Sequence, residues 1–220
     1  MLMDDVTSYL KSKDDRLRFV IDAIGPLRIT GYSDPFVFLV REIVGQMFSA
    51  QAKKVIYTKL QGLCNNRILP EVLSCFSIDD LRNIGLSRAK STTLINLSNL
   101  VMSKGIDFNN HVLMTDEEVI LDLTRIKGIG VWTAKMYLLF YLKRNDILPF
   151  EDGAFMQAYR WLYNYKRVSA KTVIARCRKW KPYSSFAARY LYIALDSGLT
   201  KKPVNAFLEA HDSNNRITYH

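Results

Sequence analysis

The chain is 220 residues long, 49% of them hydrophobic, and carries a formal net charge of +10. This length and composition supply a substantial core, and no apolar run reaches the length of about eighteen residues that a transmembrane helix needs. Three cysteines, Cys64, Cys75 and Cys177, are widely spaced and odd in number, which argues for a reducing compartment, against a disulfide framework and against a four-cysteine iron–sulfur cluster.

Apolar residues recur at three- and four-residue spacing along most of the chain, whereas strand patterns are scarce, so the fold is predicted to be all-α. One apolar stripe runs from Phe36 to Met47 and predicts a helix that begins at Pro35. Further helices are predicted from Ser77 onward and over 88–103, 115–123, 131–142, 153–165, 170–179 and 184–195. Residues typical of helix N-caps precede three of these helices, namely Asp34, Ser77 and Thr115, the last in a capping box with Glu118.

The segment 116–142 is predicted to be a helix-hairpin-helix with the turn Ile-Lys-Gly-Ile-Gly. A Gly-x-Gly turn that opens a helix presents bare backbone N–H groups at the positive end of the helix dipole, where phosphate binds well. We therefore predict that Gly128 and Gly130 bind the DNA backbone, with help from the hydroxyl of Thr133. The alternative is an ordinary turn between packed helices, because Gly-x-Gly alone is a weak signal.

The positive charge lies in one part of the chain. Between Gly153 and Pro203 there are eleven Lys or Arg residues and one acidic residue, Asp196, whereas the rest of the chain has twenty of each sign. Tyrosines and tryptophans, Tyr159 and Trp180 among them, are interleaved with these cations. A block this one-sided favours a polyanion surface over an ordinary solvated face, so nucleic acid is the expected partner.

Four segments, in order along the chain, resemble one protein family. The hairpin sequence Gly-Ile-Gly-Val-Trp-Thr-Ala-Lys at 128–135, with the Pro149 and Asp152 that follow it, resembles the helix-hairpin-helix-GPD superfamily of DNA glycosylases. The similarity is greatest to its 3-methyladenine DNA glycosylase II branch. Segments 43–49, 84–90 and 180–190 also match this branch.

The resemblance implies two helical subdomains with an active-site cleft between them. Residues 1–34 and 148–220 would form one subdomain, and residues 35–147 the other. It also implies a monomeric, monofunctional DNA glycosylase that needs no cofactor and excises alkylated bases of the 3-methyladenine type from double-stranded DNA in base excision repair. Two alternatives remain: a glycosylase for oxidised or mismatched bases on the same scaffold, and a non-catalytic helix-hairpin-helix DNA-binding protein. We expect a protein that is not secreted and that lies in the cytoplasm of a prokaryote or the nucleus of a eukaryote.

By this resemblance, Asp152 is the catalytic residue. A fixed carboxylate beside the deoxyribose stabilises the positive charge that builds as the N-glycosidic bond breaks, and it can orient a water molecule. Asp152 also suits the N-cap of the helix that starts at Gly153, and the two roles are compatible. The neighbouring Glu151 is the alternative acid.

The base pocket is expected to contain Trp132, Met136 and Tyr192. Electron-poor alkylated purines stack well on aromatic faces, although Trp132 and Tyr192 would also suit an apolar core. Trp132 occupies the position at which bifunctional relatives carry a Schiff-base lysine, so the resemblance implies that lyase activity is absent.

Gln46 and Met47 are the candidate wedge that fills the gap left by a flipped nucleotide. The alternative is that Met47 continues the core stripe of its helix, four residues after Ile43.

The resemblance also implies a monovalent cation, Na⁺ or K⁺, at three hairpin carbonyls, those of Thr124, Ile126 and Ile129. The histidines, His111, His211 and His220, are too scattered to form a zinc set.

Overall fold

The computed structural model describes residues 3–204, and within that range it contains twelve α-helices and no β-strand. The predicted all-α fold is confirmed. In chain order the helices are α1 (Met3–Lys13), α2 (Asp15–Ile24), α3 (Pro35–Gly45), α4 (Ala50–Leu63), α5 (Pro70–Leu73), α6 (Ile78–Asn83), α7 (Arg88–Met102), α8 (Asp116–Thr124), α9 (Val131–Met136), α10 (Gly153–Tyr163), α11 (Ala170–Cys177) and α12 (Ser184–Asp196). No helix in the described range is long and apolar enough to cross a membrane.

The predicted N-caps are confirmed. The carboxylate of Asp34 accepts a hydrogen bond from the Val37 N–H at 2.9 Å, and Ser77 and Thr115 each form a complete capping box. Helices α1, α2, α4 and α5 lie outside the predicted set. In α4 only Leu60 is buried, although Ile56, Leu60 and Leu63 follow helical spacing.

The helix predicted over 131–142 changes from α-helical to π-helical geometry along its length. It is α-helical to Met136 and then forms a π-helical turn, Tyr137–Tyr141. The rings of Tyr137 and Tyr141 stack with centroids 4.9 Å apart, and the Phe38 ring lies edge-on at 5.9 Å from Tyr137. The wider π turn accommodates this aromatic cluster.

Residues 3–30 and 144–204 form one compact unit. Helix α12 is central to it and packs on α2 and α10. A buried acid, Asp14, lies in the same unit with 3% exposure. It caps α2 through the Leu17 N–H, and it accepts hydrogen bonds from the Tyr163 hydroxyl, from Trp180 Nε1 at 2.8 Å and from Lys179 Nζ at 2.9 Å.

These partners decide the charge state of Asp14. Burial alone would raise the pKa of its carboxyl, but the hydrogen bonds from Tyr163, Lys179 and Trp180 outweigh that effect and hold the pKa below its usual value. The ionised carboxylate therefore joins the start of α2 to segments more than a hundred residues further along the chain.

Residues 31–143 form the second unit. Helix α3 is at its centre, with Phe38, Leu39, Ile43 and Val44 buried, and it packs on α4, α7 and α9. His111 is fully buried in this unit, with Nε2 2.9 Å from the Asp122 carboxylate and Nδ1 3.2 Å from the Tyr137 hydroxyl. These contacts give His111 a packing role.

Candidate functional site

The hairpin turn between α8 and α9 requires glycine at position 128. Gly128 has φ +99°, in the left-handed region, and a Cβ atom built on it would lie 1.9 Å from Thr93 Oγ1. The Thr93 hydroxyl donates a hydrogen bond to the Lys127 carbonyl at 3.2 Å. Gly128 therefore lets the turn pack closely against α7.

Gly130 is different, because its surroundings are open. It is the N-cap of α9 with φ −100°, a conformation that any residue adopts. A Cβ atom there would meet nothing within 4 Å, and the residue is exposed. A glycine has no side chain to cap the first N–H groups of α9, so the hairpin leaves space for an anion at the positive end of this helix.

Thr133 does not lie where the sequence prediction put it. Its side chain is 1% exposed, and its hydroxyl accepts a hydrogen bond from Gln46 Nε2 at 3.2 Å. The same Nε2 atom donates to the Gly128 carbonyl at 3.1 Å. The Thr133 hydroxyl thus holds Gln46 and does not face a phosphate. Gln46 connects the end of α3 to the hairpin, so its amide is not available as a wedge.

Met47 projects from the turn between α3 and α4. Its side chain is 101% exposed, and its backbone is left-handed, with φ +58°. The alternative that Met47 continues the core stripe of its helix is wrong, because α3 ends at Gly45. A fully exposed, unbranched apolar side chain beside the hairpin has the shape that a wedge requires.

Lys90, which the sequence analysis did not single out, lies buried beneath this turn. Its Nζ donates to the carbonyls of Val44 and Gln46. Its one sequence signal is its position at the end of the matched segment 84–90, which does not show that the side chain turns inward.

Asp152 is held at the start of α10 in the first unit. It is 8% exposed, and its Oδ1 accepts a hydrogen bond from the Phe155 N–H at 2.7 Å. The N-cap role expected from the sequence is confirmed. Glu151, by contrast, is exposed. Asp152 is therefore the buried carboxylate of the two.

The three residues predicted for the base pocket belong to different units. Trp132 and Met136 lie one turn apart on α9, with Trp132 half-buried and Met136 4% exposed. Tyr192 is half-buried on α12 in the first unit, and its ring lies 6.5 Å from that of Phe155. Because its side chain is only half-buried, Trp132 is not an ordinary core residue of α9.

The basic block of 153–203 contains exposed cations and buried aromatic residues. Its exposed cations are Lys166, Arg167, Lys171, Arg176, Arg178, Lys181, Lys201 and Lys202. Tyr159 and Trp180 are fully buried, so these aromatics pack in the core and do not face a polyanion. Tyr159 and Trp180 therefore make no contribution to the cationic surface.

The family model described as "HhH-GPD superfamily base excision DNA repair protein" matches residues 40–182. The chain belongs to this superfamily. It is 27% identical over 203 residues to DNA-3-methyladenine glycosylase 1 of Schizosaccharomyces pombe, and the match covers 89% of each chain.

Solved structures of HhH-GPD relatives have the same fold. The structure of 3-methyladenine DNA glycosylase from Schizosaccharomyces pombe in complex with abasic DNA matches with a TM-score of 0.79 and 26% identity, over 86% of this chain and 96% of that one. A DNA-3-methyladenine glycosidase from Bacillus halodurans matches with a TM-score of 0.73 and 32% identity, over 86% and 88% of the two chains.

The hairpin also contains the three carbonyls that are predicted to bind a monovalent cation. The Ile126 carbonyl accepts a hydrogen bond from the Ile129 N–H at 2.9 Å, which leaves one of its two lone pairs. Within residues 3–204 no cluster of His, Cys, Asp and Glu could hold a metal ion. His211 and His220 lie outside the described residues.

Proposed function

We propose that this protein is a monofunctional DNA glycosylase that removes alkylated purines, of the 3-methyladenine type, from double-stranded DNA in base excision repair. The observation that carries the proposal is Asp152, a buried carboxylate fixed by the Phe155 N–H at 2.7 Å. Apart from capping a helix, a DNA-binding clamp has no use for an acid that faces bound phosphates, whereas a glycosylase needs a carboxylate beside the sugar. The substrate class is supported by the 3-methyladenine glycosylase that the chain resembles over 89% of its length.

Asp152 acts on the sugar. As the C1′–N bond breaks, its electron pair leaves with the base, and positive charge develops on the deoxyribose ring. An alkylated purine already carries a positive charge, so it departs as a neutral base. The Asp152 carboxylate stabilises the sugar cation and orients the water that attacks C1′, and it accepts the proton which that water releases.

The exposed Met47 fills the space from which the damaged nucleotide is rotated. The hairpin positions the DNA, with a phosphate bound at the N–H groups beside Gly128 and Gly130. The carbonyls of Thr124, Ile126 and Ile129 are hard oxygen donors of the type that holds Na⁺ or K⁺, and such an ion would add positive charge next to the phosphate.

The half-buried indole of Trp132 is proposed to stack on the flipped cationic purine. A tryptophan forms no Schiff base, so strand cleavage does not follow base removal. The product is an intact strand with an abasic site.

The decisive experiment compares Asp152→Asn with Glu151→Gln on duplexes that contain a single alkylated purine, followed by alkali to reveal abasic sites. Asparagine caps a helix as well as aspartate does, so the fold is retained in Asp152→Asn. We expect Asp152→Asn to lose excision by about a hundredfold or more, with DNA binding retained or tightened because a negative charge near the phosphates is removed. Glu151→Gln is the matched control and should excise normally. Near wild-type excision by Asp152→Asn would rule out this assignment.

A further inference from the structure

A buried cation lies directly under the turn that carries Met47. Lys90 reaches out of α7 with only 8% exposure. Its Nζ donates to the Val44 carbonyl at 2.9 Å and to the Gln46 carbonyl at 2.6 Å, and it lies 3.5 Å from the centroid of the Phe48 ring. The ammonium therefore contacts the residues on both sides of Met47.

Burying a charged ammonium costs free energy, so a lysine at this position indicates a specific role. Burial disfavours the charged form and lowers the pKa of Lys90. Among the residues that the structure describes, the partners of Lys90 are two carbonyls and a ring, with no carboxylate. The carbonyls at the end of α3 have no helical partners and carry the negative end of its dipole, so a cation stabilises them.

The turn is held from a second side by the hairpin. The Gln46 side chain donates to the Gly128 carbonyl and the Thr133 hydroxyl at 3.1 and 3.2 Å. Between these fixed neighbours, Met47 keeps a left-handed backbone at φ +58°, which costs a residue with a Cβ atom about 1 kcal/mol. Residues held in such conformations cluster where function requires them.

We propose that Lys90 is a positioning residue for DNA insertion: it fixes the turn that presents Met47, and Gln46 joins this turn to the phosphate-binding hairpin. This inference rests on the proposed glycosylase function, and it adds that gripping the DNA backbone and inserting Met47 are coupled through one rigid segment of the second unit. Lys90 itself does not touch the DNA.

The test compares Lys90→Met, which keeps the apolar stem and removes all three N–H donors, with Lys90→Arg, which keeps donors. Single-turnover excision is measured on a lesion in a base pair and on the same lesion opposite an abasic-site analogue, where no partner base must be held apart. We expect Lys90→Met and Met47→Ala each to slow excision of the paired lesion about 10- to 100-fold. For Lys90→Met we expect a smaller loss on the unpaired lesion and partial rescue by Lys90→Arg.

A double-variant comparison separates positioning from general stability. If Lys90 acts through Met47, the pair Lys90→Met with Met47→Ala is no slower than Met47→Ala alone. Effects that multiply, or equal losses on paired and unpaired lesions, would overturn the inference. If Lys90→Met does not fold, Lys90→Gln carries the same test, because it removes the charge and shortens the side chain while leaving a polar group.

A second readout does not depend on base removal. Insertion of Met47 unstacks its neighbours, so a 2-aminopurine next to the lesion should brighten when protein binds. We expect wild-type protein to give this signal and Lys90→Met to lose it. A wild-type protein that brightens the probe without excising any base would contradict the proposed function alone. Normal excision and brightening by Lys90→Met would contradict this inference alone.

Discussion

Replacing Gly130 by aspartate should leave the fold intact, or strengthen it, while weakening DNA binding. Gly130 is the N-cap of α9 with φ −100°, and a Cβ atom there meets nothing within 4 Å. Aspartate is a favoured N-cap, and its charge complements the helix dipole. We therefore expect the free energy of unfolding to stay the same or to rise by up to about 1 kcal/mol.

The loss of binding follows from competition for the same N–H groups. The new carboxylate occupies the position of the phosphate, and the loss of a hydrogen bond to a charged group costs about 1.5–3 kcal/mol. Repulsion between like charges about 4 Å apart adds about 1 kcal/mol in water. Together these raise Kd roughly 50- to 1000-fold. Phosphate contacts do not read sequence, so undamaged and abasic duplexes should be affected alike.

The assay is fluorescence anisotropy with labelled duplexes, combined with thermal denaturation of each variant. Gly130→Asn is the matched control, since it caps the helix and fills the same space without the charge, and its binding loss should be smaller. Gly128→Ala should instead destabilise the fold by about 2–4 kcal/mol, because of its φ of +99° and its collision with Thr93. If Gly130→Asp binds both duplexes as wild type does, the hairpin is an ordinary turn and the phosphate assignment is wrong.

Three further predictions concern strand cleavage, salt and acid. Because Trp132 stands at the Schiff-base position, borohydride should trap no protein–DNA adduct, and a strong trapped band would show that the enzyme is also a lyase. Affinity for duplex should fall steeply with salt concentration, with a slope that counts several neutralised phosphates, and a flat dependence would contradict the cationic surface. Asp14→Asn should lower the free energy of unfolding at neutral pH by about 3 kcal/mol, measured in urea. The control Asp15→Asn, whose side chain is 89% exposed, should change it by less than about 0.5 kcal/mol. Since the folded pKa of Asp14 lies below the ordinary value of 3.8, its contribution is complete above that pH and is lost as pH falls through the folded pKa. Wild type should therefore lose more stability than Asp14→Asn in that acidic window, and equal losses would contradict the role of the buried carboxylate.

Start signals alone do not decide which helices the sequence predicts. Helix α4 begins at the N-cap Ser49 and lies outside the predicted set, whereas α12 has no side-chain cap and lies within it. The capping box of Thr115 and Glu118 defines α8 within one residue of its observed start. In helix α4 the apolar residues Ile56, Leu60 and Leu63 form only a narrow stripe, and most of the helix surface is exposed or half-buried. The π turn at Tyr137–Tyr141 depends on ring packing with α3, which is tertiary information.

The residues of the candidate site were also only partly predictable from the sequence. The glycines of the hairpin follow a short motif and were identified directly. Met47 was ambiguous because its spacing from Ile43 fits a core stripe, and only the end of α3 at Gly45 shows that the stripe has stopped. The contacts of Gln46 with the hairpin span 82 and 87 positions, and those of Lys90 with the Met47 turn span 44 and 46. No local pattern encodes contacts of this kind.

The buried carboxylate of Asp14 has a consequence for how the chain folds during synthesis. Its partner Trp180 lies 166 positions further on, and the whole of the second unit, 31–143, is translated between them. At about 5–20 residues per second, α2 is made on the order of ten to thirty seconds before its hydrogen-bond donors exist. The second unit is contiguous and can fold as soon as it has left the ribosome. Until residues 144–204 have been made, helices α1 and α2 expose the apolar face that they later bury. The first unit is therefore the part of the nascent protein that most needs protection from aggregation.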